Sequence, residues 1–442
     1  MANRLDREFS FSSLLTFALP SVIMMIFTAL YTVVDGMFIS HFVGEEALAA
    51  VNIVFPVISL VTGVGIMLGT GGSAIVAHRM GAGDEPGARR GFTLLVITAL
   101  ALGVLFAVVG LTGAEGISRL LGSTPRTAVY CASYLRTLLL FAPAFMLQLL
   151  FQSFFVTAGR PGLGLGLTVA AGLTNAVLDY VFIVPCGLGI LGAALATVSG
   201  YLVPSVVGLC FFALRKGGLR LARPVWEGRM LLRTCGNGSS EMVSNLAGAV
   251  VTFFFNFLML RFLGEEGVAA ITIVLYAQFL LNALYLGFAF GVSPVISFSH
   301  GAGNRPRLRR LFRICLTFVA VSSCVILTAA LLLAGVLVEI FSPAGTHVYD
   351  LALRGLQLFS GAFLFAGLNI FASAFFTALG DGRTSALISF LRTFGFLLTG
   401  LLVLPALLEV DGVWLAVPCA ELLCAVVSVL FLRWGRRRFA GD

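Results

Sequence analysis

Charge is scarce in this chain. Only 11% of its 442 residues are Asp, Glu, Lys or Arg, against 59% hydrophobic, whereas a soluble domain is about one quarter charged. That shortage excludes an ordinary soluble globular protein. No Gly-rich phosphate loop ending in Lys-Ser or Lys-Thr occurs, so ATP is not expected to drive the protein directly. No C-x-x-C pair occurs, and the eight cysteines (131, 186, 210, 235, 315, 324, 419, 424) lie mostly in apolar runs. They read as small core residues rather than a metal site or a disulfide framework. The four histidines (41, 78, 300, 347) fall at span ends or in loops without metal-ligand spacing, and no enzyme signature accompanies them. Short segments of alternating polarity, the mark of a membrane β-barrel, are missing as well. A net charge of +8 could suit nucleic acid, but no segment is large enough to form a basic folded domain.

What the chain has is hydrophobic runs of about 20 residues, enough to cross a bilayer core. Twelve are expected, at 14–38, 50–75, 92–113, 131–157, 163–185, 190–214, 236–260, 268–296, 312–338, 351–378, 385–408 and 413–432. The charged stretch from Met1 to Phe9 leads into a long apolar run without a small-residue cleavage pattern, so it reads as an uncleaved first helix. With the N-terminus inside, the inner segments hold Arg4, Arg7, Arg79, Arg89, Arg90, Arg160, the cluster Arg215 to Arg233, Arg305 to Arg313, Arg383 and the tail Arg433 to Arg438. The outer segments hold Arg119, Arg126, Arg136, Arg261 and Arg354. This asymmetry puts both termini in the cytoplasm.

The chain also repeats itself about 220 residues on. Gly44-Glu45-Glu46-Ala47-Leu48-Ala49-Ala50 returns as Gly264-Glu265-Glu266-Gly267-Val268-Ala269-Ala270, and Met80-Gly81-Ala82-Gly83-Asp84 as His300-Gly301-Ala302-Gly303-Asn304. Arg89-Arg90 matches Arg309-Arg310. The polar stretch Arg215 to Arg233 divides an N-terminal six-helix lobe (1–215) from a C-terminal one (216–442). An even number of helices per half makes the repeats parallel, related by an axis along the membrane normal. Such duplication in an apolar chain points to a secondary transporter with a site near the bilayer midplane.

Of the 20 acidic residues, four fall inside expected spans: Asp35, Asp179, Glu241 and Glu421. A charge there costs a few kcal/mol, which makes each a functional candidate. Asp35 and Asp179 lie at similar depth in the outer half of the first repeat, and Asn175 shares a helix face with Asp179. Two carboxylates beside an amide suit a small cation or a proton. Brought close in a low dielectric they cannot both stay ionised, so the pair can hold a proton and release it on a change of shape. The second repeat places Phe255 where the first has Asp35, so this site is asymmetric. Glu241 and Glu421 are secondary candidates. Pro20 interrupts the hydrogen bonding of the first helix and can bend it, coupling Asp35 to the shape of a cavity. Of the 40 phenylalanines, Phe151, Phe154, Phe155, Phe253, Phe254, Phe255 and Phe257 among them, most are expected to pack or face lipid. Those that face a cavity would suit flat organic cations, with Gln148, Gln152, Asn245, Asn256, Gln278, Asn282 and Asn369 available as polar contacts.

These residues resemble the multidrug and toxic compound extrusion (MATE) family, within it the prokaryotic DNA-damage-inducible-F-like branch. The likeness covers nearly the whole chain. It rests on Leu30 to Ile39, Gly44 to Pro56, Gly69 to Ser73, Gly81 to Asp84, Asn175 to Tyr180 and Gly264 to Tyr276. The resemblance implies an all-α protein of twelve membrane helices in two V-shaped bundles, exporting organic cations in exchange for H+ or Na+ with no cofactor. It implies that Asp35, Asn175 and Asp179 form the ion site, a Na+ being held there if Na+ is the coupling ion, and that Pro20 is the bending proline. Other branches use acids on helices seven, eight and ten; here helices eight and ten carry none within their spans. The expected protein is therefore a multi-pass, monomeric antiporter of the inner membrane and not an enzyme. A flippase for lipid-linked oligosaccharides is the alternative, ranked lower because only Arg136, Arg354 and Arg392 come near the spans.

Overall fold

In the computed structural model the backbone is described from residue 4 to residue 440. Residues 1–3 and 441–442 lie outside the described residues, as do the side chains of residues 4, 33, 36, 37, 40, 41, 45 and 436–440, among them Arg4, His41, Glu45 and the tail arginines 436–438. Every regular element among the described residues is helical.

Twelve spans emerge once breaks are honoured. They are α1 (Phe11–Phe38), α2 (Glu45–Gly81), α3 (Glu85–Leu120), α4 (Ala128–Leu140 and Ala142–Thr157, bent by 58°), α5 (Pro161–Ile183) and α6 (Gly189–Leu214). The helix Gly228–Gly301 is too long for one crossing and breaks at Gly264, giving α7 (228–263) and α8 (265–301). Then come α9 (Arg305–Leu332) and α10 (His347–Ala378). The last stretch breaks at Glu409, giving α11 (382–408) and α12 (410–440). The helices overrun the expected apolar runs because their ends carry arginines that reach out to the headgroups; α7, for example, begins eight residues before 236, at Gly228. Conversely α9 stops at Leu332, and a separate short helix Ala334–Glu339 follows it.

Duplication is written into the backbone. Gly44 (φ 116°) and Gly264 (φ 68°), 220 positions apart, turn the chain at corresponding ends of α2 and α8 in a left-handed conformation that favours glycine. The halves meet by the same rule. Gly71 of α2 lies against the backbone of Gly238 on α7, and Gly291 of α8 lies against Ala18 on α1; adding 220 to Gly71 and Ala18 converts one contact into the other. Gly81 faces the carbonyl of Phe298, and Gly301 faces the carbonyl of His78, again related by 220. At Gly71, Gly81 and Gly301 a Cβ would sit inside the neighbouring backbone, and at Gly291 it would press on Ala18 at 3.0 Å. They cluster toward the end of the molecule that carries the arginine-rich turns after α2 and α8. The loop 215–227 docks on the first half, through Arg89 to the carbonyl of Gly218 (2.9 Å) and Arg79 to Glu227 (2.6 Å).

Three apolar cores follow. One lies within residues 39–230, a second within 255–417, and a third joins the first turns of α1 (Leu14, Ala18, Val22) to α8, α9, α10 and α12. Helix α1 thus packs by its N-terminal turns on the second half and by its far end on α5.

Candidate functional site

Small residues bring the first-half acids together. On α5, Gly172, Asn175 and Asp179 are spaced to share one face. Gly172 lets Phe27 of α1 approach so closely that a Cβ would lie 2.5 Å from its ring. Gly200 of α6 does the same for the other side of α5, where its Cβ would lie 3.4 Å from that of Asn175. The result seats Asn175 (3% exposed) and Asp179 (1% exposed) between α1 and α6. Asp35 and Asp179 become each other's charged neighbours, with Asn175 beside Asp179.

Oδ1 of Asp35, Oδ1 of Asp179 and Nδ2 of Asn175 are all buried, and none makes a well-aligned hydrogen bond to any described residue, the three groups having only one another within reach. Buried polar atoms are almost always paired, so three orphans in one place mark a site built to receive something. Around them stand three tyrosines that sequence reasoning overlooked. Tyr31 is one helical turn before Asp35, while Tyr134 of α4 and Tyr201 of α6 come from elsewhere in the chain, and all three lie within the field of the carboxylates. Tyr201 is held by stacking on Phe145 at 4.4 Å, and Tyr134 is next to Thr197. Only the turn spacing of Tyr31 from Asp35 was available as a signal; the other two are distant in sequence. Pro20 lies inside the unbroken helix α1, fifteen residues before Asp35. Phe255, the repeat counterpart of Asp35, is fully buried in the second-half core.

Glu241 and Glu421 belong to a second group, in the C-terminal half. Glu421 is 3% exposed. Its Oε1 accepts from Nε (2.8 Å) and Nη2 (2.5 Å) of Arg392, and its Oε2 accepts from Nδ2 of Asn369 (2.7 Å). Ser428 in turn donates to Oδ1 of Asn369 at 2.8 Å. Arg392 stands in a π-helical stretch of α11, Leu391–Leu397, and Glu241 on α7 is its other acidic neighbour. The carboxylate of Glu421 is thus fully engaged. That of Glu241 makes no hydrogen bond or ion pair that the structure resolves among the described residues. An arginine in a span is as costly as a glutamate, which marks Arg392 as needing a partner without naming Glu421.

Other expectations need correction. Phe151, Phe154 and Phe155 do not face a cavity: they are fully buried, packed with Phe92 and Phe212. Phe253 and Phe257 are the exposed, mutually stacked pair. Asn369 is committed to Glu421, whereas Gln148, Asn256 and Asn282 each keep a buried amide oxygen without a partner among the described residues. Cysteines 131, 315 and 424 are buried, but 186, 210 and 324 are exposed; a thiol is apolar enough to face lipid on Cys210 and Cys324, so burial is not required there.

Among the described residues, twelve membrane helices in two repeats, meeting around glycine contacts and enclosing a buried pair of carboxylates, define a duplicated integral membrane protein. A family model described as MatE matches residues 20–181 and 241–399, one stretch in each half. The multidrug export protein MepA of Staphylococcus saprophyticus is 23% identical over 99% of this chain and 96% of its own length. A MATE transporter crystallised with MaL6 superposes with a TM-score of 0.93 at 23% identity, covering 100% of this chain and 99% of the other. An outward-facing multidrug resistance MATE family transporter superposes at 0.92, also at 23% identity, covering 100% and 98%. The chain belongs to the MATE family. It is an integral, multi-pass membrane protein and a transporter rather than an enzyme.

Proposed function

We propose that this protein is a multidrug exporter that moves organic cations out of the cell in exchange for an ion, H+ before Na+. The observation that carries this reading is the set of orphaned buried atoms on Asp35, Asn175 and Asp179. Two carboxylates, an amide and neighbouring phenol groups suit a proton that is taken up, held and released. Among the described residues no third Asp, Glu, His or Cys joins them to hold a metal ion. Residues 1–215 and 216–442 act as two lobes of a monomer in the inner membrane, with both termini cytoplasmic. The glycine seam at the arginine-rich end is then the cytoplasmic gate, shut in this conformation. Protonation of the Asp35–Asp179 pair changes the bend of α1 at Pro20 and loosens the contacts of α1 on Gly287 and Gly291 of α8, opening that gate. The driving force is an ion gradient, in which potential alone supplies about 2.3 kcal/mol per charge per 100 mV.

A flippase needs basic groups facing its phosphate-bearing cargo. All three arginines near the spans are matched instead: Arg136 with Glu115 (3.1 Å), Arg354 with Asp411 (2.7 Å) and Arg392 with Glu421 (2.5 Å). The deciding experiment is ethidium efflux from proteoliposomes under a separately imposed pH or sodium gradient, for wild type, Asp35→Asn and Asp179→Asn. Efflux that follows one gradient and is lost in both variants supports the proposal and names the ion. Full coupled efflux in both variants refutes the site, and no efflux from folded wild type refutes the exporter.

A further inference from the structure

The two repeats share one turn that is charge-balanced in the first and wholly basic in the second. Residues 84–93 hold Asp84, Glu85, Arg89 and Arg90, two acids against two arginines. The matching stretch 304–313 holds Arg305, Arg307, Arg309, Arg310 and Arg313 and no acid. Both open a membrane helix, α3 and α9, behind a capping Asp84 or Asn304. Setting the orientation of a helix does not require this difference, since the first repeat manages with a balanced turn.

In the first repeat the charge is settled internally: Arg89 pairs with Glu85 at 2.5 Å and with the carbonyl of Gly218. In the second, Arg307 turns inward. It bonds the carbonyl groups of Leu5 and Arg7 and the carboxylate of Asp6, close to the rings of Phe9 and Phe298. Arg310 has Glu8 at 4.0 Å. Arg305, Arg309 and Arg313, spaced by one helical turn, line a concavity of about 360 Å³ with Arg310 and Pro306. A concavity lined by four arginines, and by no acid of the same helix, suits phosphate oxygens, which a guanidinium binds through paired N–H donors.

What lies beneath the cavity separates lipid from free phosphate. Continuing the same spacing along α9 reaches Thr317, Val321 and Val325, all exposed, the two valines at 58% and 60%. The opposite face (Leu308, Leu311, Cys315, Val319) is buried. An arginine cavity at headgroup level thus stands directly above an apolar, lipid-facing stripe of the same helix. We propose that Arg305, Arg309, Arg310 and Arg313 bind the headgroup of an anionic phospholipid whose acyl chains run along Thr317, Val321 and Val325. The first repeat has no equivalent site.

The test is native mass spectrometry of the full-length transporter released from micelles containing phosphatidylglycerol or phosphatidylcholine. Wild type and the control Arg89→Gln/Arg90→Gln are expected to retain phosphatidylglycerol. Arg305→Gln/Arg309→Gln/Arg313→Gln is expected to lose it, at about fivefold weaker retention for each arginine removed. Arg313→Gln alone, with a single fivefold loss, keeps the test readable if the triple variant fails to fold. Equal retention by wild type and the arginine variants overturns the proposal, as does an equal loss in the first-repeat control. Displacement of the lipid by millimolar inorganic phosphate would show a phosphate site and also overturn it; insensitivity to phosphate supports the acyl stripe.

Discussion

Changing Glu421 to Gln tests whether this glutamate holds the second half together or carries the coupled ion. The substitution keeps the volume of the side chain, so no cavity forms, but it removes the charge opposite Arg392. Nε and Nη2 of Arg392, now at 2.8 and 2.5 Å from a charged oxygen, keep at most a neutral amide oxygen, with Glu241 as the acidic neighbour left. Breaking one side of a buried ion pair costs about 3–5 kcal/mol. The side chain of Arg392 is 25% exposed against 5% for Glu421, so water softens the loss and the lower end, about 3 kcal/mol, applies. For a unit of this size that corresponds to a fall in Tm of about 6–12 °C, read by thermal unfolding of the purified protein in detergent. Replacing both partners with apolar residues, Arg392→Met/Glu421→Leu, removes the unpaired charge and is expected to recover most of the loss. Gradient-driven efflux below the melting temperature should survive in both variants. Unchanged stability with coupling abolished would refute this reasoning and move Glu421 into the ion site, and a double variant less stable than the single one would refute the pair as the cause.

Gly81→Ala and Gly301→Ala each push a Cβ into the carbonyl of Phe298 or His78, so the arginine-rich end should no longer close. Distances between spin labels at 82 and 302 should lengthen and efflux should fall at least tenfold; an unchanged distance distribution would discount the seam as a gate. Tyr134→Phe removes a hydroxyl beside the carboxylates at a cost of about 1 kcal/mol. Coupled efflux should drop about fivefold while Tm barely moves, and a large loss of stability without a change in coupling would count against the tyrosine as part of the ion site. Pro20→Ala returns an amide donor to the middle of α1, where proline is unfavourable by about 3 kcal/mol in a helix. The variant should be at least as stable as wild type but poorly coupled, and normal coupling would remove the bend of α1 from the mechanism.

How far the sequence could be read depends on whether a property is local. Span positions, repeat spacing and the asymmetry of arginine are written in composition, because a bilayer demands about 20 apolar residues from any helix that crosses it. Asp35, Asp179, Glu241 and Glu421 stood out for the same reason: a charge in a span is conspicuous wherever it ends up. Partnership is different. Nothing near Glu421 in the chain announces Arg392, 29 residues earlier, and nothing near Asp35 announces Tyr134 or Tyr201.

The sequence by itself therefore determined that this protein crosses the membrane as two matched sets of helices and keeps a few carboxylates inside. Those are one-dimensional consequences of what hydrocarbon tolerates. Tertiary structure alone decided which carboxylate is answered and which is left waiting. Glu421 meets a guanidinium and an amide and becomes part of the scaffold, while Asp35, Asn175 and Asp179 converge with atoms to spare. That division depends on glycines such as Gly172 and Gly200 letting helices approach within a side chain's width, a distance no spacing along the chain records.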